Sequence, residues 1–146
     1  MLEVAKREAR DGATEGGIPI GAALFVDGTL LGAGHNRRVQ LGSPIRHGET
    51  DALEQAGRLT AATYRRATMV TTLSPCDMCT GAILLYEIPR VVIGENRTFR
   101  AGEGAGEDYL RSRGVEVVVL DDPECVAMMS GFIAAHPELW DEDIGQ

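Results

Sequence analysis

Basic residues are scarce in this chain. Its 14 lysines and arginines stand against 22 aspartates and glutamates, for a net charge of −8 over 146 residues. A protein that binds polynucleotides needs a basic face to displace counterions from phosphates. The arginines here come as short groups, Arg37-Arg38, Arg65-Arg66 and Arg111-Ser112-Arg113, which read as solvated surface and not as a phosphate track. The charge points away from nucleic acid and towards a small-molecule substrate. No apolar run reaches membrane-spanning length, and residues 1–7 lack the apolar core of a signal peptide, so no membrane partner is expected. Only three cysteines occur. Two of them form a metal-type pair, which fits a reducing compartment and makes the cytoplasm the default location. Repeats, low-complexity tracts and linkers are also missing, so residues 1–146 read as a single domain with a proper core.

The pattern that remains is that of an α/β chain. Leu2, Ala5, Ala9 and Ala13 recur at helical spacing up to Gly16-Gly17, predicting an amphipathic first helix. Ile20 to Val26 and Thr29 to Gly34 flank Asp27-Gly28, a strong hairpin signal. Residues 37–46 read as a loop leading to a helix over 47–59. Strand, helix and strand follow at 68–73, 76–86 and 90–94, which implies parallel pairing through a right-handed crossover. A glycine-rich loop at 100–106 precedes a short helix at 107–113. The valine-rich run 115–120 predicts a strand buried on both faces. A helix over 123–135 leads to an acidic tail that holds the only tryptophan, Trp140. A tryptophan placed there predicts that the tail packs on something. Cys125 reads as a small hydrophobe, and Met128 and Met129 as core filling.

The chemistry is concentrated in Pro75-Cys76-Asp77-Met78-Cys79 and Arg46-His47-Gly48-Glu49. A helix start favours thiolate at Cys76 and Cys79, but two sulfurs make only half a tetrahedral site. His47 supplies a third ligand, and Glu49 is placed to face the same point without binding the metal. A redox pair leaves His47 and Glu49 unexplained, and a structural zinc knuckle needs a fourth ligand that Cys125, far off, does not provide. His47-x-Glu49 with Pro75-Cys76-x-x-Cys79 resembles the signature of zinc nucleobase deaminases. His35-Asn36, at a strand end, is read equally as a turn and as a functional pair.

Over its whole length the chain resembles the fungal-type cytosine deaminases. The resemblance rests on Gly16-Gly17-Ile18-Pro19-Ile20-Gly21, Gly34-His35-Asn36, His47-Gly48-Glu49, residues 72–83, Ile88-Pro89-Arg90, Gly94-Glu95-Asn96, residues 116–119 and Glu142-Asp143-Ile144-Gly145. It implies a three-layer α/β/α sandwich with a five-stranded mixed sheet, and a homodimer with one zinc per subunit. By the same resemblance, His47, Cys76 and Cys79 hold the metal and Glu49 shuttles protons. Asn36, Gly48, Ser74 and Asp143 bind the base, and Ile20, Phe99 and Trp140 wall the pocket. The implied reaction is hydrolytic deamination of a free nucleobase, cytosine first, with guanine, another small heterocycle or a tRNA adenosine as rivals. Arg46 and the long loop after Phe99 are expected close enough to the site to tune substrate choice.

Overall fold

The computed structural model describes residues 1–145, so only Gln146 of the expected domain lies outside the described residues. Five strands form one mixed sheet in the order β2-β1-β3-β4-β5. They are β1 (Gly21–Val26), β2 (Thr29–His35), β3 (Ala67–Leu73), β4 (Arg90–Glu95) and β5 (Glu116–Val119). β1 runs antiparallel to both β2 and β3, whereas β3–β4 and β4–β5 are parallel. Asp27 and Gly28, both at positive φ (50° and 78°), close the β1–β2 hairpin as their sequence foretells.

The helices are α1 (Leu2–Thr14), α2 (Arg38–Leu41), α3 (Gly48–Ala56), α4 (Ala61–Tyr64), α5 (Asp77–Leu85), α6 (Gly106–Ser112), α7 (Pro123–Ala135) and α8 (Pro137–Asp143). Alternation along the strands sorts the core into two layers. Ala22, Leu24, Met69, Val91 and Ile93 share one cluster with Ala52 of α3, Ile83 of α5 and Leu110 of α6. On the other face Ala23, Phe25, Val70 and Val92 pack with Ala5 of α1. α7 joins that layer: Lys6 of α1 meets Asp122 at its N-cap and Glu124 in its first turn. The result is the expected α/β/α sandwich.

Several local expectations change. The buried line of α1 is Ala5, Ala9 and Gly12, while Ala13 is exposed. Small residues are needed because α1 crosses β1 closely: a Cβ on Gly21 would sit 2.1 Å from the Ala5 carbonyl oxygen. β5 is not fully buried. As an edge strand it packs Val117 and Val119 on one face and Val118 on the other, each half-buried. The loop expected at 37–46 contains α2, and the acidic tail is the helix α8. Met129 is buried, whereas Met128 is half-buried. Among the described residues no helix is long and apolar enough to cross a membrane.

Candidate active site

Both halves of the cysteine–histidine constellation sit at helix N-caps. His47 precedes α3 and Cys76 precedes α5, each with extended backbone (ψ 166° and 175°), and neither side chain caps its own helix. They turn instead to a common point, with His47 Nδ1 3.5 Å from Cys76 Sγ. One turn into α5, Cys79 completes the group. One ligand atom from each of His47, Cys76 and Cys79 lies within 4.8 Å of the others.

Glu49, only 3% exposed, lies against this group. The Cys79 thiol donates to Glu49 Oε2 at 3.3 Å, and Thr71 Oγ1 lies 3.2 Å from Glu49 Oε1. Burial pushes the Glu49 carboxyl up, and the neighbouring Cys76 sulfur adds to the effect. The Cys79 thiol, through its hydrogen bond, draws Cys76 down to about 4 against the cost of burial, with His47 assisting. Cys79 is pushed well up by the same hydrogen bond and by burial. Burial is the largest single effect on His47 and works against its charge, but the hydrogen bond to Cys76 and the nearby Cys76, Glu49 and Asp143 charges together raise the imidazole. Two sulfurs, one imidazole and a carboxylate crowd together here. The two sulfurs and the imidazole form a donor set that fits a borderline-soft divalent cation such as zinc, whose charge offsets the thiolates, with the carboxylate beside it.

The constellation opens into a cavity of about 460 Å³ lined by Ile20, Asn36, His47, Glu49, Ser74, Cys76, Phe99, Trp140 and Asp143, among others. Of the residues expected at the site, Gly48 and Cys79 do not line it. Cys79 is buried behind it, and Gly48 occupies the first helical position of α3, where backbone N–H groups have no intrahelical acceptor. Asn36 is fully buried. Its Oδ1 accepts the Arg38 backbone N–H at 3.0 Å, while Nδ2 has no partner among the described residues. Ser74 Oγ donates to the buried Glu107 at 2.8 Å. Phe99 and Trp140 meet edge to face, with centroids 5.9 Å apart. The packing expected of the tail is therefore found: Trp140 joins Ile18, Ile20, Leu73 and Met129 in a third cluster.

Asp143 pairs with Arg38 through its side chain and accepts from the same guanidinium through its carbonyl at 2.8 Å. Burial raises its carboxyl, opposed by Arg38. The Arg37-Arg38 pair is thus not the solvated surface that the sequence suggests. Arg37 bonds the buried Asp51 and Glu15. Arg46 also turns to Asp51, at 2.9 Å, and lies outside the cavity lining. The loop after Phe99 does reach the cavity, through Arg100, Ala101 and Gly102. His35 is neither a cavity residue nor a plain turn: it is buried between Glu8 and Glu15, at 2.9 and 3.0 Å. Thr71, Glu107 and Arg38 escaped the sequence reading, because strand and helix periodicity mark burial but not the partner of a polar side chain.

The family profile described as the cytidine and deoxycytidylate deaminase zinc-binding region matches residues 1–95. The chain belongs to that family. This deaminase is 53% identical over 146 residues to the cytosine deaminase of Candida albicans, covering 99% of this chain and 95% of the relative. It is 32% identical to the tRNA-specific adenosine deaminase of Bacillus subtilis, covering 90% and 85%. A solved structure from work on A-to-I editing by tRNA:A34 deaminases superposes with a TM-score of 0.73 at 26% identity, covering 87% and 96%. The guanine deaminase of Nitrosomonas europaea does so with a TM-score of 0.70 at 24% identity, covering 91% and 82%, a likeness of fold.

Proposed function

We propose that this deaminase hydrolyses free cytosine to uracil and ammonia. The observation that carries the reading is the fully buried Asn36 Nδ2, a donor without a partner among the described residues, at a cavity that also presents the Asp143 carboxylate. A buried unpaired donor is costly. A ring carbonyl would satisfy it, and the adjacent ring N–H would bond Asp143. Only a free base has both, since in cytidine the sugar occupies that nitrogen. The C. albicans relative supports the same substrate.

His47, Cys76 and Cys79 are the residues that would hold zinc, one per subunit. Zinc held there would supply Lewis-acid activation of water near neutral pH. Glu49 takes the proton of the attacking water and passes it to the ring nitrogen beside the amino-bearing carbon. The water oxygen bonds to that carbon, which becomes tetrahedral, and Glu49 then carries the oxygen's remaining proton to the amine, whose bond to carbon breaks as it leaves as ammonia. Its raised pKa suits a group that must both accept and release a proton. Gly48 would offer its backbone N–H to the ring carbonyl, and Ser74 would bind the base, held by Glu107. Ile20, Phe99 and Trp140 would enclose the ring.

Residues 1–146 act as one domain, since Phe99, Trp140 and Asp143 all lie beyond the matched 1–95 segment. We place the protein in the cytoplasm as a homodimer. Leu85 of α5, 73% exposed, and the groove it shares with Leu53, Leu59 and Tyr64 support pairing on that side. A second reading, another small heterocycle such as guanine, is favoured by Arg100, Ala101 and Gly102 at the cavity wall. Ammonia release across cytosine, 5-methylcytosine, cytidine, guanine, adenine and creatinine-like lactams tests the proposal. Cytosine should be fastest, and cytidine turned over at an equal rate would refute the free-base reading.

A further inference from the structure

We infer that Arg38 is a specificity-determining positioning residue, which sets both groups that read the N–C=O edge of the base. The inference rests on the substrate reading above. Arg38 touches each of those groups by a different part of itself. Its backbone N–H donates to Asn36 Oδ1 at 3.0 Å. That bond fixes which end of the amide is spent on the protein, and leaves Nδ2 as the end offered to a ligand. Its guanidinium bonds the Asp143 side chain through Oδ1 and the Asp143 carbonyl at 2.8 Å. Asp143 Oδ2 is left for a donor on the ligand.

Sequence places these groups far apart, at 36 and 143, on opposite sides of the fold's connectivity. One is the first residue after β2 and the other is the last residue of α8. Apolar packing of Trp140 on Ile20 and Leu73 seats α8 at the cavity, but it makes no polar contact with the Asp143 carboxylate. Arg38 does, because a planar guanidinium with several donors can hold a side-chain oxygen and a backbone oxygen at once. The neighbouring Arg37 cannot substitute, since it is engaged with Asp51 and Glu15. Without Arg38 the Asp143 carboxylate would keep its burial and lose its counter-charge. It would then swing towards water or take up a proton, and as a protonated acid it would no longer be a carboxylate acceptor for the ring N–H.

The test uses zinc-loaded full-length protein and compares cytosine with 1-methylcytosine, which lacks the ring N–H. Wild type, Arg38→Met, Asp143→Asn and the double variant are assayed for kcat and KM. Arg38→Gln is assayed alongside, so that a folding failure of the Met variant does not decide the matter. Either Arg38 variant should raise KM for cytosine by about 10- to 100-fold, the range for a lost bond to a charged group. It should leave kcat within about threefold and shrink the preference for cytosine over 1-methylcytosine by a similar factor. In the Asp143→Asn background the same change should cost less than about threefold, because the group Arg38 positions is already altered. An unchanged substrate preference, or losses that multiply in the double variant, overturns the role of Arg38 alone. A wild type that turns over 1-methylcytosine as well as cytosine overturns the free-base reading and this inference with it.

Discussion

Replacing Glu49 by glutamine separates chemistry from metal binding more cleanly than any other single change. The amide matches the carboxylate in size, and Glu49 is 3% exposed, so shape decides whether the site survives. The substituted amide can donate to Cys79 Sγ, which lies 3.3 Å from Glu49 Oε2, while its oxygen accepts from Thr71. Zinc content and melting temperature should therefore stay near wild type. The proton transfer has no substitute. Of the other carboxylates at the cavity, Asp143 is paired with Arg38 and Asp77 is exposed on the first turn of α5. A positioned acid–base group contributes about 10²–10⁴-fold. With no understudy and two transfers to perform, we expect a kcat loss of about 10³–10⁴-fold, or about 4–5.5 kcal/mol of barrier. The assay is ammonia release from cytosine beside metal analysis of the same preparation. A variant that keeps its zinc and turns over within tenfold of wild type would show that another group moves the proton.

Cys76→Ala or Cys79→Ala should lose most of the zinc and much of the stability, since metal binding is coupled to folding; full zinc by metal analysis in either variant would reject these ligands. Gly21→Ala should destabilise the fold by about 1–3 kcal/mol, because the new Cβ would sit 2.1 Å from the Ala5 carbonyl oxygen and 2.5 Å from the Ala9 nitrogen and α1 must retreat; an unchanged urea midpoint would contradict that close approach. The hydrogen bond from His35 holds the Glu15 carboxyl below its ordinary value, against the opposing effect of burial. Folding thus favours the ionised form, and its stabilisation is complete above the ordinary glutamate pKa of about 4.3 and lost as pH falls through the lower folded value. Melting curves between pH 6 and 3 should show Glu15→Gln losing less stability on acidification than wild type, and parallel curves would count against the contribution. Truncation after Leu139 removes Trp140 and Asp143 and should abolish most activity on cytosine; retained turnover would show that α8 does not close the site.

His47, Glu49, Cys76 and Cys79 were legible from the chain alone, because a tetrahedral metal needs particular atom types and helix starts provide short, fixed spacings to hold them. The same holds for the hairpin at Asp27-Gly28 and for the strand–helix order, where local backbone preference and period agree with the final fold. α2 and α4 were missed, being four residues each and too short to show a period. The partial exposure of β5 was also hidden, since a run of valines is the same sequence at an edge as at the centre of a sheet. The arginines were misread for a deeper reason. Arg37, Arg38 and Arg46 look alike in sequence, yet one ties Asp51 to Glu15, one positions Asn36 and Asp143, and one turns away from the cavity it was expected to shape. A charged side chain is long and its worth depends on the partner it reaches, here across 5 to 105 residues of chain. Local sequence carries the metal site; only the folded arrangement of α2 against α8 decides which arginine pairs with Asp143.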